Sequence, residues 1–201
     1  MRVVAFGDSL TSGMTSGPKD FPYSLFLSKQ HTNHTFINEG IGGDEAVRYP
    51  QRLRSTLESM AKKPRGAAEI VILWGGTNDI RLMTLRSDHG AGVSNDIIQA
   101  LEACVDVCRE FQIGKVVLLT IPDSSCELVG RGLMKATRLE VNERIRLNFS
   151  EVEMVEVVDV ATEIPMHVLE DEAEKSKWFC DGLHLTALGY KKVSSLISNV
   201  L

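Results

Sequence analysis

Four short segments, far apart in the chain, carry residue types that together could transfer an acyl group. Gly7-Asp8-Ser9-Leu10 holds a serine, and Asp181-Gly182-Leu183-His184 places a carboxylate three residues before an imidazole. Asn38-Glu39-Gly40-Ile41-Gly42-Gly43-Asp44 is glycine-rich, and Gly76-Thr77-Asn78-Asp79 offers a side-chain amide. A serine hydroxyl is a poor nucleophile until a base within hydrogen-bond reach takes its proton. Neutral imidazole can do this near physiological pH, and a carboxylate on its other nitrogen fixes the tautomer and stabilises the imidazolium. The tetrahedral intermediate needs donors already aimed at its oxyanion, which glycine backbone and an amide can supply. Each segment also has an ordinary reading. Ser9 suits a helix N-cap, Gly43 a tight turn, Asn78 a turn residue bonding the backbone, and Asp181 an acid near Thr186, the expected cap of the last helix.

The segments can meet only if the elements between them bring them to one side. Val3-Val4-Ala5-Phe6 reads as a buried strand that delivers Ser9 at its C-terminal tip. A short helix follows over about Asp20–Lys29, then a strand Thr35–Asn38 running into the glycine loop. Asp44 is expected to cap a helix carrying Leu53, Leu57 and Met60, with Pro50 at its start or at a kink. Glu69–Trp74 is the clearest buried strand, and Val93 to Phe111 the best amphipathic helix. Lys115–Ile121 forms a fourth strand and Arg131–Phe149 a helix. A fifth strand, Met154–Val160, precedes a long acidic loop and a last helix buried through Val193, Leu196, Ile197 and Val200. Strands alternating with helical crossovers predict one α/β domain over residues 1–201: a three-layer, doubly wound, flavodoxin-like sandwich with a mainly parallel five-stranded sheet. All strand tips then share one rim, where such sheets bind ligands.

With all four segments in order at strand tips or just before the last helix, the chain resembles the SGNH hydrolases of the GDSL esterase/lipase family over nearly its full length. The resemblance implies Ser9 as nucleophile, His184 as general base and Asp181 as the acid that orients it. It implies an oxyanion hole made of the Ser9 and Gly43 backbone N–H groups and the Asn78 amide, with Gly43 chosen over Gly40 and Gly42 by alignment through Asp44. The reaction implied is hydrolysis of a carboxylic ester, with lysophospholipase, thioesterase and carbohydrate deacetylase activities as alternatives inside the family. Asp8 and Asp79, whose side chains diverge from their functional neighbours, read as acceptors that stabilise loops. Asp88-His89 reads as surface loop, and His31, His34 and His167 as solvated loop histidines.

The bulk composition narrows the field. A net charge of −5 argues against general affinity for nucleic acid or anionic membrane, and Lys62-Lys63-Pro64-Arg65 is too short to overturn that. No run reaches transmembrane length and the first strand starts at Arg2, so the expectation is a cytoplasmic protein without stable membrane insertion. On that expectation the glycosylation-type strings at Asn33 and Asn148 read as chance. The four cysteines lack zinc spacing, and Cys104 and Cys108 share a helix face as small apolar groups. No metal or other cofactor is expected, since neither a P-loop nor a G-x-G-x-x-G string occurs, and Ser9 lacks the second glycine of a G-x-S-x-G elbow.

The rival from another class is a flavodoxin-like binding module in which Ser9 to Gly13 cradles a phosphate. The expected partner is a small-molecule or lipid ester, with small or medium acyl chains favoured because no amphipathic lid is visible. Leu82, Met83, Leu85, Ile121, Leu128, Ile164, Met166, Trp178 and Phe179 lie on the rim loops. They could wall an acyl pocket or pin the loops to the core. Oligomeric state is not legible.

Overall fold

Every second residue of the first strand, β1 (Arg2–Gly7), faces a different layer, and both layers are apolar. Val4 and Phe6 pack on one side of the sheet, Val3 and Ala5 on the other, all fully buried. The same alternation continues in β3 (Ile70–Trp74) and β4 (Lys115–Leu119), as expected of central strands covered on both faces. Together with β2 (Thr35–Gly40) and β5 (Val155–Val158) they form one parallel sheet of order β2-β1-β3-β4-β5. Residues 1–63, 66–83, 91–128 and 132–201 are described, in a computed structural model of the chain.

One face is covered by α3 (Tyr49–Ala61), α5 (Val93–Glu110) and α6 (Leu133–Phe149), which contribute Leu53, Leu57, Ile97, Leu101, Val141 and Ile145. The other is covered by α2 (Tyr23–Gln30) and α9 (Ala187–Ser198), which contribute Tyr23, Leu27, Tyr190, Val193 and Ile197. The expected three-layer α/β architecture is therefore present. Order 2-1-3-4-5 reverses between β1 and β3, and open sheets of this type bind ligands beyond the strand ends at that switch point. Ser9 follows β1 and Asn78 follows β3.

Several boundaries differ from the sequence-based expectation, each for a local reason. β2 continues through Asn38-Glu39-Gly40 in register with Ala5-Phe6-Gly7, because an edge strand tolerates polar residues that a central one does not. β4 stops at Leu119. Beyond it the Asn142 side chain takes the ladder's place, accepting from Ile121 N and donating to Ile121 O at 2.8 Å each. The acidic stretch after β5 is not one loop but holds α7 (Val160–Glu163) and α8 (Glu172–Trp178). Its acids are helix caps: Asp159 accepts from Thr162 N, and Asp171 from Ala173 N. Asp44 does not cap α3, which starts after a 3₁₀ turn (Ala46–Arg48) with Pro50 in its first turn. Thr186 caps α9 as expected, accepting from Gly189 N. Cys104 and Cys108 are buried in α5, and all four cysteines are free. The expected start of α6 at Arg131, and Pro64 and Arg65 of the basic string, lie outside the described residues.

Candidate active site

Asp8, not Ser9, caps the short helix α1 (Ser9–Ser12): its Oδ1 accepts from Leu10 N at 2.9 Å. That leaves the Ser9 hydroxyl free for another partner, and it meets His184 Nε2 at 2.9 Å. On the other side of the ring, Nδ1 lies 2.7 Å from Asp181 Oδ2. A carboxylate only accepts, so Nδ1 carries the proton and Nε2 is the acceptor facing Ser9. Two residues separated by 175 positions are thereby joined in a serine–imidazole–carboxylate line.

The turn that carries this line is fixed from several sides. Phe179 and Leu185 form an antiparallel bridge, and Cys180 N donates to His184 O at 2.9 Å. Inside the turn Asp181 Oδ1 accepts from the backbone of Leu183 at 3.0 Å and of His184 at 2.7 Å. Gly182 sits at φ +80° against the 3₁₀ turn Ser125–Leu128, where a Cβ would lie 2.4 Å from Ser125 Oγ; glycine satisfies both constraints. The 3₁₀ turn is itself anchored by a buried pair, Glu127 Oε1 accepting from Arg138 Nε at 2.5 Å. Burial raises the Asp181 pKa, but the hydrogen bonds from the His184 ring and from two backbone N–H groups outweigh it. The net result is a carboxyl held below its usual range, and so charged.

The glycine loop and the start of α4 (Thr77–Leu82) are stitched together by adjacent side chains. Asn78 Nδ2 donates to Asp44 O at 2.9 Å, and Asp79 Oδ2 accepts from Ala46 N at 2.8 Å. Asn78 is thus not a loop residue bonding its own backbone; it lies in the first turn of a short helix, 3% exposed. Gly40 N is engaged by Asn38 Oδ1. Gly43, at φ +78°, and Ser9 have backbone N–H groups without an acceptor among the described residues. Asp8 and Asp79 act as backbone acceptors, as expected. Burial, with the nearby charges of Asp79 and Asp44, pushes the Asp8 carboxyl up to about 7 against the opposing Leu10 N–H and Arg52.

Of the backbone N–H groups that a phosphate cradle at Ser9–Gly13 would need, only that of Ser9 is without an acceptor among the described residues. Leu10 N goes to Asp8 Oδ1, Thr11 N and Ser12 N to Asp8 O, and Gly13 N and Met14 N to Ser9 O. The expected solvated histidines are in fact half-buried and bonded: His31 Nε2 meets Ser198 Oγ at 2.7 Å, and His167 Nε2 meets Ser124 O at 2.9 Å. His34 is half-buried in a ring cluster with His31 and Phe36. Of the rim apolar set, Met83, Ile121, Ile164, Met166 and Phe179 belong to the core, while Leu128 is 77% exposed. Leu128, Met166, Phe179 and Asp181 line an open cleft of about 380 Å³. Leu85 and Asp88-His89 lie outside the described residues.

Among the described residues, no three His, Cys, Asp or Glu side chains are grouped to hold a metal ion, and no helix is long and apolar enough to cross a membrane. One polar residue of the site had not been expected. Arg52 occupies an apolar-stripe position of α3, three residues after buried Tyr49, and its guanidinium is placed 3.7 Å from the Phe6 ring centre. A cation inside an otherwise apolar stripe is a signal readable from sequence.

The model of the GDSL-like lipase/acylhydrolase family matches residues 5–192 of the chain. No curated protein matches it in sequence. Solved structures of similar fold include a member of the lipolytic protein G-D-S-L family from Veillonella parvula, 21% identical, covering 100% of this chain and 97% of that one at a TM-score of 0.69. A lipase/acylhydrolase from Enterococcus faecalis is 21% identical over 99% and 94% of the two chains, TM-score 0.70. A family 3 carbohydrate esterase from Clostridium thermocellum is 17% identical over 98% and 93%, TM-score 0.67.

Proposed function

The chain belongs to the GDSL-like lipase/acylhydrolase family, and from that premise we propose that residues 1–201 form one catalytic domain, a serine esterase acting through an acyl-Ser9 intermediate. The observation that carries this reading is the line Ser9 Oγ–His184 Nε2 at 2.9 Å and His184 Nδ1–Asp181 Oδ2 at 2.7 Å. Ser9 Oγ attacks the ester carbonyl carbon while Nε2 takes its proton. The carbonyl oxygen becomes an oxyanion facing the Ser9 and Gly43 N–H groups and the Asn78 amide. Its collapse expels the alkoxide, which takes the proton from Nε2 and leaves as the alcohol. Water then attacks the acyl carbon, gives its proton to Nε2, and the acid departs as Ser9 recovers its hydrogen. The ionised Asp181 stabilises the imidazolium in both halves.

A fluorophosphonate that reports on the nucleophile tests the reading directly. Mass spectrometry should find the label on Ser9 and none on Ser9→Ala; a label on another residue overturns it.

For substrate, we favour esters of small or medium acyl chains. Met83, Ile121 and Ile164 are engaged in the core, which leaves Leu128, Met166 and Phe179 as the rim apolar residues lining the cleft beside Asp181, a short apolar wall. Turnover of p-nitrophenyl esters from acetate to palmitate checks this. Rates should fall with chain length, and a preference for long chains would point to a lysophospholipase-like activity instead.

A further inference from the structure

Arg52 ties together the backbone that carries the three proposed oxyanion donors. Its Nη2 donates to Gly7 O at 2.8 Å and its Nη1 to Glu39 O at 2.7 Å, while its Nε lies 2.8 Å from Asp44 Oδ2 in an ion pair that lacks hydrogen-bond geometry. These partners lie on three different segments. Gly7 ends β1 two residues before Ser9, Glu39 is the second-last residue of β2, and Asp44 directly follows Gly43. Asp44 passes the connection on, since its carbonyl accepts from Asn78 Nδ2 at 2.9 Å. The guanidinium is largely shielded and lies close to two rings, with its carbon 3.7 Å from the centre of Phe6 and 5.3 Å from that of Tyr49.

An arginine is the residue type that can do this. Its planar fork presents donors in fixed, divergent directions, whereas a lysine is a single point charge on a flexible stem. Donors stabilise an oxyanion only when already placed about 2.7–3.1 Å from it. A misplacement of about 1 Å can cost on the order of 100-fold in rate. The strand ends are also held by the ladder that pairs Phe6 with Glu39 and Gly7 with Gly40 and by the bond from Ile41 N to Gly7 O, 3.0 Å, but Arg52 alone among these links reaches Asp44 beside Gly43.

We propose that Arg52 is a positioning residue for the oxyanion site: its two bonds to the Gly7 and Glu39 carbonyls and its ion pair with Asp44 set the Gly43 N–H against the Ser9 N–H and, through Asp44, align the Asn78 amide. The inference rests on the reading of Ser9, Gly43 and Asn78 as oxyanion donors. Arg52 touches no reacting atom, so its effect falls on kcat through the placement of groups that do.

A double-mutant cycle in the full chain separates this from simple structural support. Wild type, Arg52→Lys, Asn78→Ala and the double variant are compared for p-nitrophenyl acetate turnover and for thermal melting. Asn78→Ala should lower kcat by about 10²–10³, and Arg52→Lys by about 10–100-fold with KM changed less than about threefold. The double variant should lose clearly less than the product of the two single losses, because part of what Arg52 aligns has gone. Losses that multiply, or a wild-type kcat in Arg52→Lys, overturn the role of Arg52. A wild-type rate for Asn78→Ala overturns the oxyanion reading and this inference with it. Should Arg52→Lys fail to fold, Asp44→Asn takes its place in the cycle. It keeps the carbonyl that meets Asn78 and removes the charge that meets Arg52; the same coupling is expected, and multiplicative losses overturn the proposal.

Discussion

Asp181 grips His184 at two points: Oδ2 meets the ring at Nδ1 and Oδ1 meets the backbone N–H, both at 2.7 Å. One carboxylate therefore sets the position of the residue and the orientation of its ring. Asparagine has a single acceptor and cannot serve both donors. Asp181→Asn is expected to lower kcat by about 10³–10⁴, because the ring is left in the wrong tautomer or loses its anchor. The melting temperature should change little, since the turn keeps its Phe179–Leu185 bridge. Steady-state kinetics beside a thermal melt decide it; a loss of under tenfold would remove Asp181 from the mechanism.

Ser9 and His184 should behave as one unit. Each is useless to the proposed reaction without the other, so Ser9→Ala, His184→Ala and the double variant are expected to lose similar factors, orders of magnitude each. Multiplying losses would mean that the two act in separate steps. The Ser9 hydroxyl is not the cap of α1, so its removal should leave the melting temperature close to that of the wild type.

Much of this arrangement can be read from residue order, and what cannot has a physical reason. Apolar runs ending in Gly-Asp-Ser, a glycine loop and Gly-Gly-Thr-Asn mark strand tips, and parallel topology puts such tips on one rim. Side chains that replace backbone partners leave no such periodic trace. Asn142 ends β4 by bonding Ile121 from α6, and Asp159 and Asp171 turn an acidic stretch into helix starts. His167 looks like a loop histidine because the Ser124 carbonyl that holds it comes from 43 residues away. Arg52 left a signal, a cation in an apolar stripe, but its acceptors are backbone carbonyls, and those have no identity in sequence.

Activity should fall at acid pH. Protonation of the imidazole removes the acceptor for the Ser9 hydrogen, while the Asp181 carboxyl, held below its usual range, stays ionised. kcat/KM should therefore fall as the medium is made acid while Asp181 is still ionised. A kcat/KM that does not fall on acidification would exclude His184 as the base.

Asp8 should make folding stability fall as pH rises toward neutrality, the reverse of the usual carboxylate effect. Burial pushes its pKa up from 3.8 to about 7, and its Oδ2 is buried without a hydrogen-bond partner. Between those values the folded chain holds a proton that the unfolded chain has released. The unfolding free energy then declines with rising pH by up to about 1.4 kcal/mol per unit, and the contribution is gone above about 7. Asp79, also raised by burial, adds the same sign. Asp159 and Asp181 are lowered, so they act oppositely and only at more acid pH, below the ordinary carboxylate range. Asp8→Asn keeps an oxygen for Leu10 N and has no charge to bury. Relative to wild type it should melt higher at pH 8, and its melting temperature should depend less on pH between 5 and 8. A wild-type melting temperature that climbs from pH 5 to pH 8, or an unchanged slope in Asp8→Asn, would show that Asp8 is not the group responsible.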